Sequence, residues 1–131
     1  PVAELAPGVI LHACEIGDSS VDAQDQFMHP PSGWVHVRLW WQTENDIDEV
    51  YRTTARLMNN DGVWGERLDR EGELLDKWPT ILWQTDEFVR EDLDINLNPI
   101  AEPGDYRVQI SLFDEDGNEG PVADCGTVAV R

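Results

Sequence analysis

The sequence predicts an all-β fold, an antiparallel β-sandwich of immunoglobulin-like or jelly-roll-like type with about seven or eight strands. Apolar and polar residues alternate with a period of two in several segments, which is the pattern of strands with one buried face. Turn sequences rich in Gly, Pro, Asn and Asp separate these segments. Because 131 residues suit one core, we expect residues 1–131 to form a single sandwich domain that is part of a larger protein.

The clearest alternation lies in segments 33–42, 93–97 and 105–113. In the first, Val35, Val37, Leu39 and Trp41 share one face, which we expect to be buried together with Trp83. Segments 9–16 and 122–130 are rich in β-forming residues but alternate less regularly, and we expect them to be the end strands.

Segment 46–58 fits two patterns. Asp46 and Glu49 could form the capping box of a helix, whereas residues 51–57 alternate as a strand does. An Asn-Asp-Gly turn at 60–62 follows, as in a hairpin, and we therefore predict a strand. Tyr106 stands just after the Pro103-Gly104 turn, where a tyrosine hydroxyl can bond back to the loop as a tyrosine corner.

The composition is strongly acidic, with 27 acidic and nine basic residues and a formal charge of −18. Such a surface repels phosphate backbones and anionic lipids, so we expect no nucleic-acid partner. Lys77 is the only lysine, a bias found both in proteins that work in high salt and in extracellular proteins that bind calcium. No apolar run is long enough for a membrane helix, so we expect no direct membrane insertion, and the start at Pro1 suggests a mature chain or an excised domain.

Turns and core positions follow one another in a distinctive order along residues 8–130. The series is Leu39-Trp40-Trp41, Leu57-Met58-Asn59-Asn60-Asp61-Gly62, Pro79-Thr80, Trp83, Glu87, Val89, Leu97-Asn98-Pro99, Pro103-Gly104-Asp105-Tyr106 and Leu112-Phe113-Asp114-Glu115-Asp116-Gly117. It resembles the β-sandwich domain appended, outside the membrane, to many bacterial polytopic glycosyltransferases of the protein-mannosyltransferase type. The resemblance implies a non-catalytic accessory domain and transfers no active-site residues, because that family's chemistry belongs to its membrane part.

An acidic loop at residues 114–119 is a candidate calcium site, with Asp114, Asp116 and Asn118 as its ligands. Calcium loops of the helix–loop–helix kind are flanked by helices, whereas strands flank this one. Asp116-Gly117 also stands where a hairpin turns. We therefore expect a plain turn and no required cofactor, with weak calcium binding as the alternative.

An outward row on the strand over 33–42 is the best candidate binding site; it comprises Trp34, His36, Arg38 and Trp40. Aromatic rings beside polar donors suit sugars, whose C–H faces are apolar and whose rims carry hydroxyls. The alternative is that the long loop over 17–32 or a neighbouring domain covers the row.

Cys14 and Cys125 lie in the first and last predicted strands, so they can form a disulfide, the alternative being two buried thiols. His12, His29 and His36 lack the spacing of a metal site, and no Gly-x-Ser-x-Gly motif is present. A nucleophilic role for Cys14 is disfavoured by its position within a strand. We predict that the chain is not an enzyme.

The sequence thus favours a non-catalytic accessory or interaction module outside the cytoplasm, at the cell surface, in the periplasm or secreted. The resemblance implies attachment to a membrane glycosyltransferase. One alternative is a carbohydrate-binding module that uses the tryptophan row. Another is a structural subunit that assembles through unpaired sheet edges. The expected partners are other domains of a larger protein or further copies of this chain, with a glycan as ligand in the first alternative.

Overall fold

The computed structural model of the protein describes residues 2–27, 31–67 and 77–131. Its strands are β1 Ala3–Ala6, β2 Val9–Ile16, β3 Ser20–Val21, β4 Trp34–Thr43, β5 Arg52–Asn59, β6 Gly62–Arg67, β7 Val89–Leu97, β8 Gly104–Phe113 and β9 Ala123–Val130. A 3-10 helix over Thr80–Leu82 lies before β7. Within the described ranges, no helix is long and apolar enough to cross a membrane. The predicted all-β class is confirmed.

The nine strands of the described residues belong to one hydrogen-bonded sheet, in the order β1-β2-β4-β7-β6-β5-β8-β9-β3. Its neighbours are antiparallel except for the parallel pair of β3 with β9. The sequence predicted fewer strands, divided between two sheets. β1 has four residues and β3 has two, which is too short for a pattern of alternation to be recognised.

β6 lies within the curled sheet and pairs with both β5 and β7. Gly65 is opposite Leu57 of β5 and opposite Leu97 of β7. A Cβ atom on Gly65 would lie 3.1 Å from Leu57 Cδ1 and 3.2 Å from the Asn96 carbonyl oxygen. The absent side chain therefore lets β6 lie close to both neighbouring strands.

The core lies inside this curl and is formed by the alternating inward residues. Trp41 and Trp83 are both buried, with ring centroids 6.0 Å apart, as predicted. Tyr106 is also buried, and its hydroxyl donates to the Glu102 carbonyl oxygen at 2.6 Å, which confirms the predicted tyrosine corner.

The ambiguous segment is a strand only in its second part, because β5 begins at Arg52. The residues before it form no strand, although Ile47 and Tyr51 are buried. Thr80 holds this approach in place: the backbone N–H of Tyr51 donates to its Oγ1, and that hydroxyl donates to the Glu49 carbonyl oxygen. The sequence of this segment fits both a helix and a strand because its first part is a loop with buried side chains and its second part is a strand.

Bulges explain why β2 and β9, which were expected to be the end strands, alternate poorly; β1 and β3 are instead the outermost strands of the sheet. The register of β2 against β4 shifts between Leu11 and Ala13, and the register of β8 against β9 shifts between Val108 and Gln109. An extra residue moves the following side chains to the other face. As a result Cys14 and Cys125 pack against the core, although period-two alternation does not predict it.

Candidate functional site

The predicted row lies on the outer face of β4, as alternation requires. His36 and Arg38 are exposed, while Trp34 and Trp40 are half-buried. Trp40 lies six positions after Trp34, so their Cα atoms lie roughly 20 Å apart along the strand. β2 pairs with one side of β4 and β7 with the other, and both contribute carboxylates to this face.

Arg38 is the centre of the charge network. Its Nε donates to Asp92 Oδ1 at 2.9 Å, and its Nη1 lies 3.9 Å from Glu15 Oε2. Asp92 also lies 3.3 Å from Arg90 Nη2. The hydrogen bond to Asp92 and the charge of that carboxylate raise the pKa of Arg38, so its guanidinium remains charged.

The two flanking members of the row are tied to carboxylates as well. His36 Nδ1 bonds to Asp94 Oδ1 on β7, and Trp40 Nε1 donates to Glu15 Oε1 on β2 at 3.3 Å. A shallow cleft of about 380 Å³ lies beside His36 and Arg38, and Gly17 forms part of its wall, whereas neither tryptophan of the row lines it. The row is therefore a fixed surface of donors and acceptors beside the Trp40 ring, which is an arrangement suited to hydroxyl-rich ligands.

The acidic loop forms a compact turn. Asp114 Oδ1 accepts hydrogen bonds from the backbone N–H groups of Asp116 and Asn118, each at 2.9 Å. Glu115 instead contacts the β5 approach, where its Oε1 accepts from the Val50 N–H at 2.8 Å. One oxygen of Asp114 is thus engaged by the turn itself, and the carboxylates do not converge on one point.

The other candidate metal ligands are scattered. His12 packs edge-on against Phe88, whereas His36 lies on the outer face of β4. His29 lies outside the described residues. In the part of the chain that the structure describes, no group of three or more His, Cys, Asp or Glu side chains could hold a metal ion.

The two cysteines form a disulfide, with their Cα atoms 5.9 Å apart. It joins β2 to β9, two strands that have no backbone hydrogen bonds with each other in the sheet order. A disulfide of this kind is typical of proteins that fold in oxidising compartments.

Sequence reasoning missed a polar group in the core. Glu91 is 1% exposed, and its Oε1 accepts from Thr53 Oγ1 at 2.7 Å and from Trp41 Nε1 at 3.1 Å. Its Oε2 lies 4.0 Å from Nη1 of Arg67. Burial raises the pKa of Glu91, while the Thr53 hydrogen bond and the Arg67 charge act in the opposite direction. The sequence did contain a signal of this burial, because Glu91 occupies an inward position between Val89 and Leu93.

Comparison with known proteins shows a similarity in fold. Neither protein-family models nor curated proteins give a match to this chain. Among solved structures, the chain is similar to a Niemann-Pick type C2 protein from Japanese carpenter ant, with a TM-score of 0.54. The two are 8% identical, and the match covers 92% of this chain and 91% of that one. At this identity the likeness concerns the fold alone.

Proposed function

We propose that this chain is a non-catalytic accessory module that works outside the cytoplasm and binds carbohydrate through the outer face of β4. The observation that carries the proposal is the row from Trp34 to Trp40, whose polar members are held by carboxylates of both neighbouring strands. A surface fixed before binding loses little side-chain entropy when a ligand arrives. The disulfide supports the extracytoplasmic location.

We infer an immunoglobulin-like sandwich in which β1, β2, β4 and β7 form one layer and β5, β8, β9 and β3 the other. The hydrogen bond from Thr53 of β5 to Glu91 of β7 supports it, because these strands are not neighbours in the sheet. The disulfide between β2 and β9 supports the same division.

Tryptophan fluorescence and calorimetry against neutral oligosaccharides test the binding proposal. We expect a saturable change that is lost in Trp40→Ala and weakened in Arg38→Gln. Trp64→Phe is the matched control, because Trp64 lies on β6 and donates to Asn59 Oδ1, away from the row. Equal losses in Trp40→Ala and Trp64→Phe, or no saturable binding to any glycan, would contradict a sugar site on β4.

A second candidate is docking against another domain, as the resemblance to glycosyltransferase-appended domains implies. Four large apolar side chains between residues 78 and 88 favour it, because each is 40–54% exposed: Trp78, Ile81, Leu82 and Phe88. Assembly through sheet edges has less support, since the edge strands have four and two residues. Sizing chromatography tests self-assembly, which predicts a large particle. The flanking sequence of the gene tests docking, which predicts a covalently attached domain.

A further inference from the structure

An aromatic contact crosses β4 beside the tryptophan row. It joins His12 on β2 to Phe88, which is the residue before the first residue of β7. The centroids of the two rings lie 4.9 Å apart, with an angle of 61° between the ring planes. β2 and β7 flank β4 on opposite sides, so the two rings meet over the strand that lies between them. We call these two residues the aromatic pair.

The register of the strands places the aromatic pair on the same face as the row. Val89 is opposite Trp41, and both are buried in the core. Phe88, one position earlier, therefore projects to the outer face, where it is 54% exposed. His12 is the extra residue of the β2 bulge, at the level of Trp40 and Trp41. The aromatic pair thus adjoins Trp40 at one end of the row.

The polarity of the outer face changes along β4. On one side of Trp40 the face is ionic, because Arg38 is paired with Asp92. On the other side, the next outer position of β4 is Gln42, and Ile10 of β2 is opposite it. Gln42 and Ile10 are both uncharged and half-buried. Trp40 therefore lies between a charged, hydrogen-bonding part of the face and an uncharged part that includes the aromatic pair.

The polar groups nearest to the aromatic pair leave it available to an apolar ligand. Arg90 is opposite Trp40 on β7, but its Nη2 lies 3.3 Å from Asp92 Oδ2, so its charge is directed towards the ionic part of the face. His12 Nδ1 is shielded from solvent and has no hydrogen-bond partner among the described residues. The His12 ring therefore acts as a packing surface for Phe88.

We propose that the glycan bound at the row carries an apolar substituent, an aryl, alkyl or acyl group, which packs on Phe88. The hydroxyls of the sugar meet the polar groups around Arg38, and its C–H face meets the Trp40 ring. The substituent then continues along β4 onto the aromatic pair, where burial of its apolar surface adds affinity. This inference rests on the proposed carbohydrate function and adds the class of ligand to it.

Calorimetry of the full chain with matched glycosides tests the class of ligand. The probes are the methyl and phenyl β-glycosides of cellobiose, lactose and chitobiose, with phenol as the apolar group alone. For a sugar that binds, we expect the phenyl glycoside to bind about tenfold more tightly than the methyl glycoside, because part of its ring leaves water. Phenol should show no saturable binding. Phe88→Ala and His12→Ala should each bring the ratio of the two affinities close to one, whereas Trp40→Ala should abolish the binding of both glycosides.

Phe27→Ala is the matched control, because it removes the same side chain at a residue that is 89% exposed in the segment before β4. It should keep the affinity ratio of the wild type, and circular dichroism checks that each variant is folded. Equal affinities for the two glycosides would overturn this inference and leave the carbohydrate site standing. Phenol binding as tight as that of the phenyl glycosides, or equal losses of the ratio in Phe88→Ala and Phe27→Ala, would also overturn it. If no glycoside binds, the proposed function fails together with this inference.

Discussion

Cys14 of β2 and Cys125 of β9 are bonded across the open side of the curled sheet, 111 residues apart in the chain. Each lies one strand inside an edge of the sheet, since β1 lies beyond β2 and β3 lies beyond β9. Backbone hydrogen bonds between strands do not join these two sides. The disulfide therefore links β2 to β9, two strands that the hydrogen bonds of the sheet do not join.

Removing this cross-link should destabilise the protein strongly. A closed loop of this length corresponds to about 4–5 kcal/mol of chain entropy in the unfolded state, with measured values often smaller. We expect Cys14→Ser/Cys125→Ser to lower the free energy of unfolding in urea by up to that amount. Mass spectrometry of unreduced, denatured protein after thiol alkylation should find no alkylated cysteine. Two alkylated cysteines would contradict the bridge and weaken the extracytoplasmic assignment.

Glu91 should make stability depend on pH. Its pKa is raised in the folded state by burial, so folding favours the protonated form. The stability that protonated Glu91 contributes is fully present below the ordinary glutamate pKa, about 4.3. It is lost as pH rises through the higher pKa of the folded state. We therefore expect Glu91→Gln to gain stability relative to the wild type as pH rises from about 4 to 8.

The measurement is the difference in the free energy of unfolding between variant and wild type at each pH, which removes the effect of the other carboxylates. Glu87→Gln is the matched control, because it makes the same substitution at an exposed residue. A flat profile for Glu91→Gln would mean that Arg67 and the hydrogen bonds of Glu91 fully offset its burial.

The tyrosine corner should contribute measurably to stability. Tyr106→Phe keeps the buried ring and removes the hydroxyl that donates to the Glu102 carbonyl oxygen. We expect a loss of about 0.5–1.5 kcal/mol, the usual net value of a hydrogen bond. Urea denaturation measures it, with Tyr51→Phe as a comparison at another buried tyrosine. An unchanged unfolding midpoint for Tyr106→Phe would show that the bond adds nothing.

Calcium should have little specific effect on the acidic loop. Asp114 is occupied by the turn's own N–H groups, so we expect calcium and magnesium to shift the melting temperature equally at matched ionic strength. Both should raise it through screening of the negative charge. Saturable stabilisation by calcium alone, abolished in Asp116→Ala, would establish a metal site, because selective binding to the folded state raises its stability.

The sequence by itself determined the all-β class, the outer row of β4, the buried Trp41 and Trp83, and the tyrosine corner. All of these depend on local patterns, because a strand's two faces follow from period-two alternation and a corner from a turn beside a tyrosine. The sequence also placed Cys14 and Cys125 in the end strands, but it left disulfide and buried thiols as alternatives.

Only the tertiary structure decided how distant strands meet. The continuous strand order, the close packing around Gly65 and the parallel pairing of β3 depend on contacts between residues far apart in the chain. The same is true of Glu91 beside Arg67 and Thr53, and of His12 beside Phe88. Alternation says which face a side chain takes, but it does not say which strand will lie beside it, and these sites depend on that neighbour.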